Sequence, residues 1–346
     1  MEATRRATRR ETWLSNALAS LDRREVAERV ALAAEASTRR FHRIATDAGP
    51  LVLMDAPPES ENNAAFLALA SWLRQHGLHA PEVVDADVDQ GFFLLEDLGD
   101  RCLAAALAPA DEDERRRLYR LAITTLVQIQ QAGQQDPPAL PDYDRARLER
   151  ELGLFADWFV ERMLALPLPS NLWQQSAAAL TEASLTQPRA CVYLDYHSRN
   201  LLLLDGDTRL GLVDFQDMHH GPVCYDAVSL LRDCYLRWPE HEVRRLRSNY
   251  LEEARAAGIR GLEDAAAFAR GFDLCGIQRH LKALGIFARV ALTRDQHHYL
   301  DDMPRVLEHL LAVAPGHPET AALARWLDAE VIPALPAALA RLRARV

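Results

Sequence analysis

"VYLDYHSRNLLLLDGDTRLGLVDF", Val192 to Phe215, decides how the chain is read. An apolar run (Cys191, Val192, Tyr193, Leu194) stops at Asp195, and an asparagine follows at position 200. From Asn200 onward two apolar runs flank an Asp-Gly pair, the composition of a β-hairpin whose turn needs positive φ. A hairpin returns the chain to where it began, so Asn200 and Asp214 are expected to face each other. A carboxylate beside an amide oxygen suits Mg²⁺, a hard cation that takes few protein ligands. Asp195, on the loop before the hairpin, is then free to orient a hydroxyl and accept its proton. Ordinary turn chemistry explains any one of these residues. It explains Asp-x4-Asn, a hairpin of this length and Val-Asp-Phe together much less well.

Outward from this stretch, the two sides differ. Residues 12 to 37 carry apolar side chains at helical spacing, predicting an amphipathic helix. "FHRIAT" (41–46) and "LVLMD" (51–55) predict a hairpin, residues 57–78 a helix, and "EVVDAD" (82–87) and "GFFLLED" (91–97) two further strands. Four or five strands with one interposed helix make a small lobe over residues 1–99. From 100 to 346 the pattern is helical at 111–134, 144–165, 171–186, 240–257, 262–292, 302–313 and 319–344, interrupted only by the β region near 190–214. The expected class is α+β, a small β-rich lobe followed by a large, mainly helical one.

The 346 residues are 49% hydrophobic, enough for substantial cores. No run of about 18 uncharged apolar residues predicts a membrane span. "MEATRRATRRETW" lacks the apolar stretch of a secretory signal. Five widely spaced cysteines suit reduced thiols. A net charge of −10 argues against nucleic acid. A cytoplasmic monomer with no membrane or nucleic-acid partner is expected. Of the 40 basic residues, 39 are arginines and one, Lys282, is a lysine.

The Asp195, Asn200 and Asp214 arrangement is the one protein kinases use for the catalytic base and the metal ligands. "LDYHSRNLLLL", "LGLVDFQD" and "GPVCYDAVSLLRDCY" resemble the aminoglycoside phosphotransferase superfamily. With "LVLMDAPPE", "GFFLLEDLGD" and "QRHLKALGIFARV" the chain resembles more narrowly the anomeric N-acetylmuramate/N-acetylglucosamine kinases of bacterial cell-wall recycling. The resemblance implies a bilobal protein-kinase-like fold, ATP with Mg²⁺ as cofactors, and an amino sugar as acceptor. It departs from the family at two places. Tyr193 stands where a histidine is usual, and Met54 lies near the position of the phosphate-binding lysine. That cation is then an arginine or comes from elsewhere; "STRRFHRI" (37–44) offers Arg39, Arg40 and Arg43, of which Arg40 and Arg43 are the candidates, a solvated basic face being the other reading. Leu95, Glu96 and Leu98 are expected at the hinge, two offering backbone groups to adenine and Leu95 an apolar surface.

Residues around the loop that are neither metal ligands nor core are expected to read the sugar: His197, Arg199, Gln216, Asp217, Arg232 and Asp233. Asp226 is read as a backbone anchor for the loop, and Arg279, His280 and Lys282 as sugar contacts or helix surface. His219 and His220 lack a third ligand for a metal. Two other functions fit the same fold: a kinase acting on choline, an amino alcohol or an aminoglycoside, and an inactive nucleotide-binding regulator.

Overall fold

In the computed structural model, which describes residues 2–32, 38–294 and 296–344, the chain forms two compact units. One is Met1–Leu103 with Asn200–Gln216, the other Ala104–Arg199 with Asp217–Val346. The sequence boundary at 99/100 falls close to the first break, but the hairpin groups with the N-terminal residues.

The first unit holds an antiparallel sheet in the order β1-β2-β3-β5-β4. Its strands are β1 (Val30–Leu32), β2 (Arg40–Ile44), β3 (Leu51–Asp55), β4 (Val83–Asp87) and β5 (Phe92–Glu96). β3 is buried along its whole length and β5 nearly so, which is why both read as unbroken apolar runs. Helix α1 (Glu2–Ser20) covers the sheet, placing Leu14 and Leu18 in one core with Ile44, Leu51, Leu53 and Leu94. Arg6 and Arg10 on the same helix reach the buried Asp55 carboxylate at 2.6 and 3.2 Å. Helix α2 (Asn63–Gln75) starts at Asn62, whose side chain accepts the Ala65 N–H, and buries Phe66, Leu69, Trp72 and Leu73.

The helix expected over 12–37 is instead α1, earlier and shorter. It ends because Asp22 takes φ 54° and the Arg23 N–H turns back to Leu18 O at 2.9 Å. Val30–Leu32 then enters the sheet as β1, and residues 33–37 lie outside the described ones.

Strand β6 (Arg189–Val192) pairs with β9 (His219–Pro222) in the second unit, while β7 (Leu201–Leu204) and β8 (Arg209–Leu212) form the expected hairpin in the first. Asp205, Gly206 and Asp207 all have positive φ, as the Asp-Gly turn requires.

The second unit is helical: α3 (Leu103–Leu107), α4 (Glu112–Gln135), α5 (Arg145–Leu154), α6 (Ser170–Leu185), α7 (Tyr225–Leu231), α8 (Glu240–Ala256), α9 (Ala265–Thr293), α10 (Met303–Val313), α11 (Ala321–Trp326) and α12 (Ile332–Arg343). The long α9 is its axis, packing against α5, α6, α7 and α10. Residues 155–164 continue α5 with π-type winding. Here α9 lies on bare backbone: a Cβ on Gly285 would sit 2.4 Å from the Leu154 carbonyl carbon and 2.5 Å from the Phe155 nitrogen. Among the described residues no helix is long and apolar enough to cross a membrane.

Candidate active site

In the first unit, the hairpin base assembles around Asp214. The Val213 N–H donates to Asn200 O at 3.3 Å, closing the hairpin. Phe215 is fully buried and stacks on Phe66 of α2 at 5.0 Å, which fixes the residue before it. Asp214 itself has φ 67°, a left-handed conformation that costs a non-glycine residue about 1 kcal/mol or more. Its carboxylate accepts hydrogen bonds from Gln216 Nε2 at 2.9 Å, Asn200 Nδ2 at 3.5 Å and Arg39 Nη2 at 3.0 Å. Arg39 also donates from Nη1 to Gln216 Oε1 at 2.5 Å and lies 3.3 Å from Glu61 through Nε. A carboxylate and a neighbouring amide form a hard-oxygen donor set, and a guanidinium already stands at the carboxylate as a cation. These residues fit Mg²⁺.

The expected phosphate cations lie elsewhere. Arg43 is locked between Asp97 at 2.5 and 2.9 Å and Asp100 at 2.6 and 2.8 Å, an arrangement that raises its already high pKa and commits four of its five N–H donors to carboxylates. Arg40 is exposed at the start of β2. Arg39, passed over in the sequence reading, is the arginine that meets Asp214. Strand spacing cannot choose between residues 39 and 43, which share a face; partners far away in sequence decide.

At the expected hinge, Leu95 is buried opposite Val52 and Val83. The Glu96 N–H is committed to Glu82 O at 2.9 Å, so it is not available to adenine. Its carboxylate accepts from Glu82 N–H at 3.0 Å and meets His79 at 2.9 Å; burial alone would raise its pKa, but these contacts hold it below the usual value. Leu98 packs on Gly211 of the hairpin.

In the second unit, the Asp195 loop is tied down at both ends by aspartates. Asp226, completely buried on α7, accepts the Tyr193 N–H at 2.6 Å and the Leu194 N–H at 3.0 Å. Leu194 has φ 73°, and its carbonyl accepts the Ser229 hydroxyl at 3.2 Å. Asp233 accepts from Ser198 N–H at 2.9 Å, Ser198 Oγ at 2.5 Å and Tyr235 N–H at 2.9 Å. Asp195, half-buried, follows a strained residue held by surrounding bonds, a pattern found where backbone geometry serves function. Burial pushes the Asp226 carboxyl up to about 7, against the two N–H donors that favour its charge. Tyr193, in the place of the usual histidine, is buried edge-on against Tyr196 at 5.4 Å.

The predicted sugar readers separate. His197 is buried, its ring edge-on to Tyr235 at 5.2 Å. Arg199 lies over the same ring at 3.6 Å and 3.8 Å from Asp302. Asp217 is exposed. Gln216 belongs to the first unit, on Asp214 and Arg39, as described above. Arg232 and Asp233 are framework: Arg232 is 1% exposed and makes a two-pronged ion pair with Glu240 at 2.8 and 3.0 Å, and Asp233 is consumed by the loop.

The helix-surface reading of α9 is also corrected. Arg279 and His280 are buried, and Lys282 bonds the Tyr225 hydroxyl at 2.9 Å and Glu151 at 3.1 Å. His280 bonds Arg232 O at 2.9 Å. Burial lowers the Lys282 pKa, and Glu151, Tyr225 and Asp195 more than restore it. His219 sits between Asp217 O and Arg147 Nη1, each at 2.7 Å, and burial and that guanidinium lower its pKa below the usual imidazole value. Two open depressions, one beside Arg120, Asn249 and Glu253 and one beside Arg5, Arg9 and Asp87, contain none of the predicted site residues.

Three comparisons bear on what this constellation is. The chain is 38% identical over 304 residues to an N-acetylmuramate/N-acetylglucosamine kinase of Pseudomonas aeruginosa, covering 87% of this chain and 88% of that one. It is 40% identical over 296 residues to a kinase of the same name from Neisseria meningitidis serogroup B, covering 84% and 87%. The choline kinase of Streptococcus pneumoniae superposes with a TM-score of 0.61 at 13% identity, over 87% of this chain and 99% of that one, a likeness of fold. Residues 28–272 match the phosphotransferase enzyme family, and the chain, with its kinase-like α+β fold, is a member of it.

Proposed function

We propose that this chain transfers the γ-phosphoryl group of ATP to the anomeric (C1) hydroxyl of N-acetylmuramate or N-acetylglucosamine, supporting the recycling of bacterial cell wall. The observation that carries the proposal is the anchored loop: Asp195 follows a strained Leu194 whose N–H, with that of Tyr193, is clamped by a buried carboxylate. Such investment in one aspartate's position suits a group that must meet a substrate hydroxyl. The similarity to kinases named for these two sugars supports the choice of acceptor.

In this reading Asp195 orients the hydroxyl and accepts its proton as the sugar oxygen bonds to the γ-phosphorus. The bond from that phosphorus to the β,γ-bridging oxygen breaks, and ADP departs with its electron pair. Asn200 and Asp214 would hold Mg²⁺, which when bound neutralises phosphate charge. His197 and Arg199 are the sugar readers retained, together with the exposed Asp217; a lactyl carboxylate would be met by Arg199 or His197. Positioning and electrostatics then supply most of the acceleration. The thiols of Cys191, Cys224, Cys234 and Cys275 are buried and unpaired, which suits a cytoplasmic enzyme.

The test is ADP release with Mg-ATP over a panel of N-acetylmuramate, N-acetylglucosamine, glucose, choline and an aminoglycoside. Turnover with the N-acetylated sugars is expected, falling at least about a thousandfold in Asp195→Asn while ATP binding persists. Undiminished turnover in that variant refutes the assignment of the base. ATP binding without turnover on any acceptor favours the regulator reading.

A further inference from the structure

The chain has no lysine in its N-terminal unit, and Met54 on β3 is buried opposite Phe41. Among the described residues, the cation with its charged end on the metal-type carboxylate of Asp214 is Arg39, just before the regular strand. We infer that Arg39 is both the triphosphate-binding cation of this chain and a resident counter-ion that occupies Asp214 until nucleotide arrives. The inference rests on the phosphotransfer reading above and goes beyond it by assigning one residue two successive partners.

Three observations lead there. The Arg39 fork reaches three different oxygens, on Asp214, Gln216 and Glu61, so its charge is spread across the site and not confined to one ion pair. Its side chain is 10% exposed while Asp214 is 41% exposed, so the arginine covers one flank of the carboxylate and leaves the other to solvent. Glu61 stands just before α2 and is itself bonded by the Thr38 hydroxyl, so it is a fixed tether on the Nε side. A guanidinium on Asp214 Oδ1 and a divalent cation on the same carboxylate repel each other. Arg39 must therefore yield Asp214 when a metal binds. Tethered by Glu61 through Nε, it would turn its two terminal nitrogens from Gln216 and Asp214 to phosphate oxygens, the bidentate geometry that guanidinium favours. A surface ion pair would make no such connection between metal and nucleotide.

Two affinities measured on the full chain test this: Mn²⁺ alone, by the electron paramagnetic resonance of free Mn²⁺, and ATP without metal, by titration calorimetry. In Arg39→Met the two should move in opposite directions. Nucleotide-free Mn²⁺ binding should tighten several-fold because the competing cation is gone, and ATP binding should weaken about ten- to a hundredfold. Arg39→Lys keeps the charge and loses the fork; it should still exclude Mn²⁺ and recover part of the ATP affinity. Unchanged Mn²⁺ affinity in Arg39→Met overturns the counter-ion role, and unchanged ATP affinity overturns the phosphate role. If both affinities fall together, Arg39 is only a scaffold for Asp214 and the inference is wrong; the Lys variant, whose charge should preserve the site, guards against misreading a folding defect. Failure of the wild-type chain to bind ATP at all would instead refute the phosphotransfer reading.

Discussion

Asp226→Asn tests whether a buried carboxylate holds the Asp195 loop in a conformation it would not otherwise keep. The wild-type carboxylate accepts two main-chain N–H groups, at 2.6 and 3.0 Å. Asparagine keeps the shape but points a donor at one of them. The loss of one of these hydrogen bonds, with a buried N–H left facing a donor, amounts to about 1–3 kcal/mol. Leu194, at φ 73°, is then under-held and relaxes, taking Asp195 with it. The expected fall in kcat is ten- to a hundredfold by the same free energy, with ATP affinity little changed. The substitution also changes how stability responds to pH. The Asp226 pKa is raised from 3.8 to about 7 by burial, so between those values the unfolded chain is ionised while the folded one keeps its proton. Fewer protons on the unfolded state mean that stability falls as pH rises through this window and levels off above it. The fall attributable to Asp226 between pH 5 and 7 is about 2 kcal/mol. Asparagine cannot ionise, so the variant should lack that component. Urea unfolding of both proteins at pH 5, 6, 7 and 8, followed by circular dichroism, measures the difference. Parallel pH profiles would refute the raised pKa, and a native kcat in the variant would refute the clamp.

Two further substitutions separate framework from site. Arg232→Met removes the buried arginine from an ion pair whose other member, Glu240, is 41% exposed, while Asp273 keeps Arg247 at 3.6 Å; a loss of about 1–3 kcal/mol in unfolding free energy is expected, with no selective rise in KM for the sugar. A raised KM at unchanged stability would restore Arg232 as a sugar reader. Gly285→Ala drives a methyl group into the Leu154–Phe155 backbone and should cost about 1–3 kcal/mol or more, read as a lowered Tm; a change below about 0.5 kcal/mol would show that α9 shifts freely there.

Much of the fold was legible because its signals are local. The Asp-Gly hairpin, the capped helix after Asn62 and the continuous apolar strands β3 and β5 each follow from neighbours in sequence. α1 was misplaced because helical spacing continues past Ser20, while the stop signal is a single left-handed Asp22 with no glycine or proline to advertise it. The approach of Asn200 to Asp214 was legible, because a hairpin must bring its two ends together. It was not legible at residue 39, because Glu61, Asp214 and Gln216 come from remote positions, nor at residue 43, claimed by Asp97 and Asp100. Arg232 and Asp233 have the composition of a polar pocket; only burial and their satisfied partners reveal a framework. Asp226 could be assigned correctly from its place behind the loop, but not the two donors it accepts.

The discontinuity of the first unit bears on how this chain is made and how it can be cut. Residues 200–216 leave the ribosome roughly a hundred residues after the five-stranded sheet of the same unit, and until then Phe66 lacks its stacking partner Phe215 and Leu98 lacks its contact at Gly211. An N-terminal fragment ending at residue 103 would carry exposed apolar surface and no Asp214. A complete first unit therefore cannot be obtained by truncation at residue 103; it requires residues 200–216 to be rejoined to residues 1–103 through a new connection.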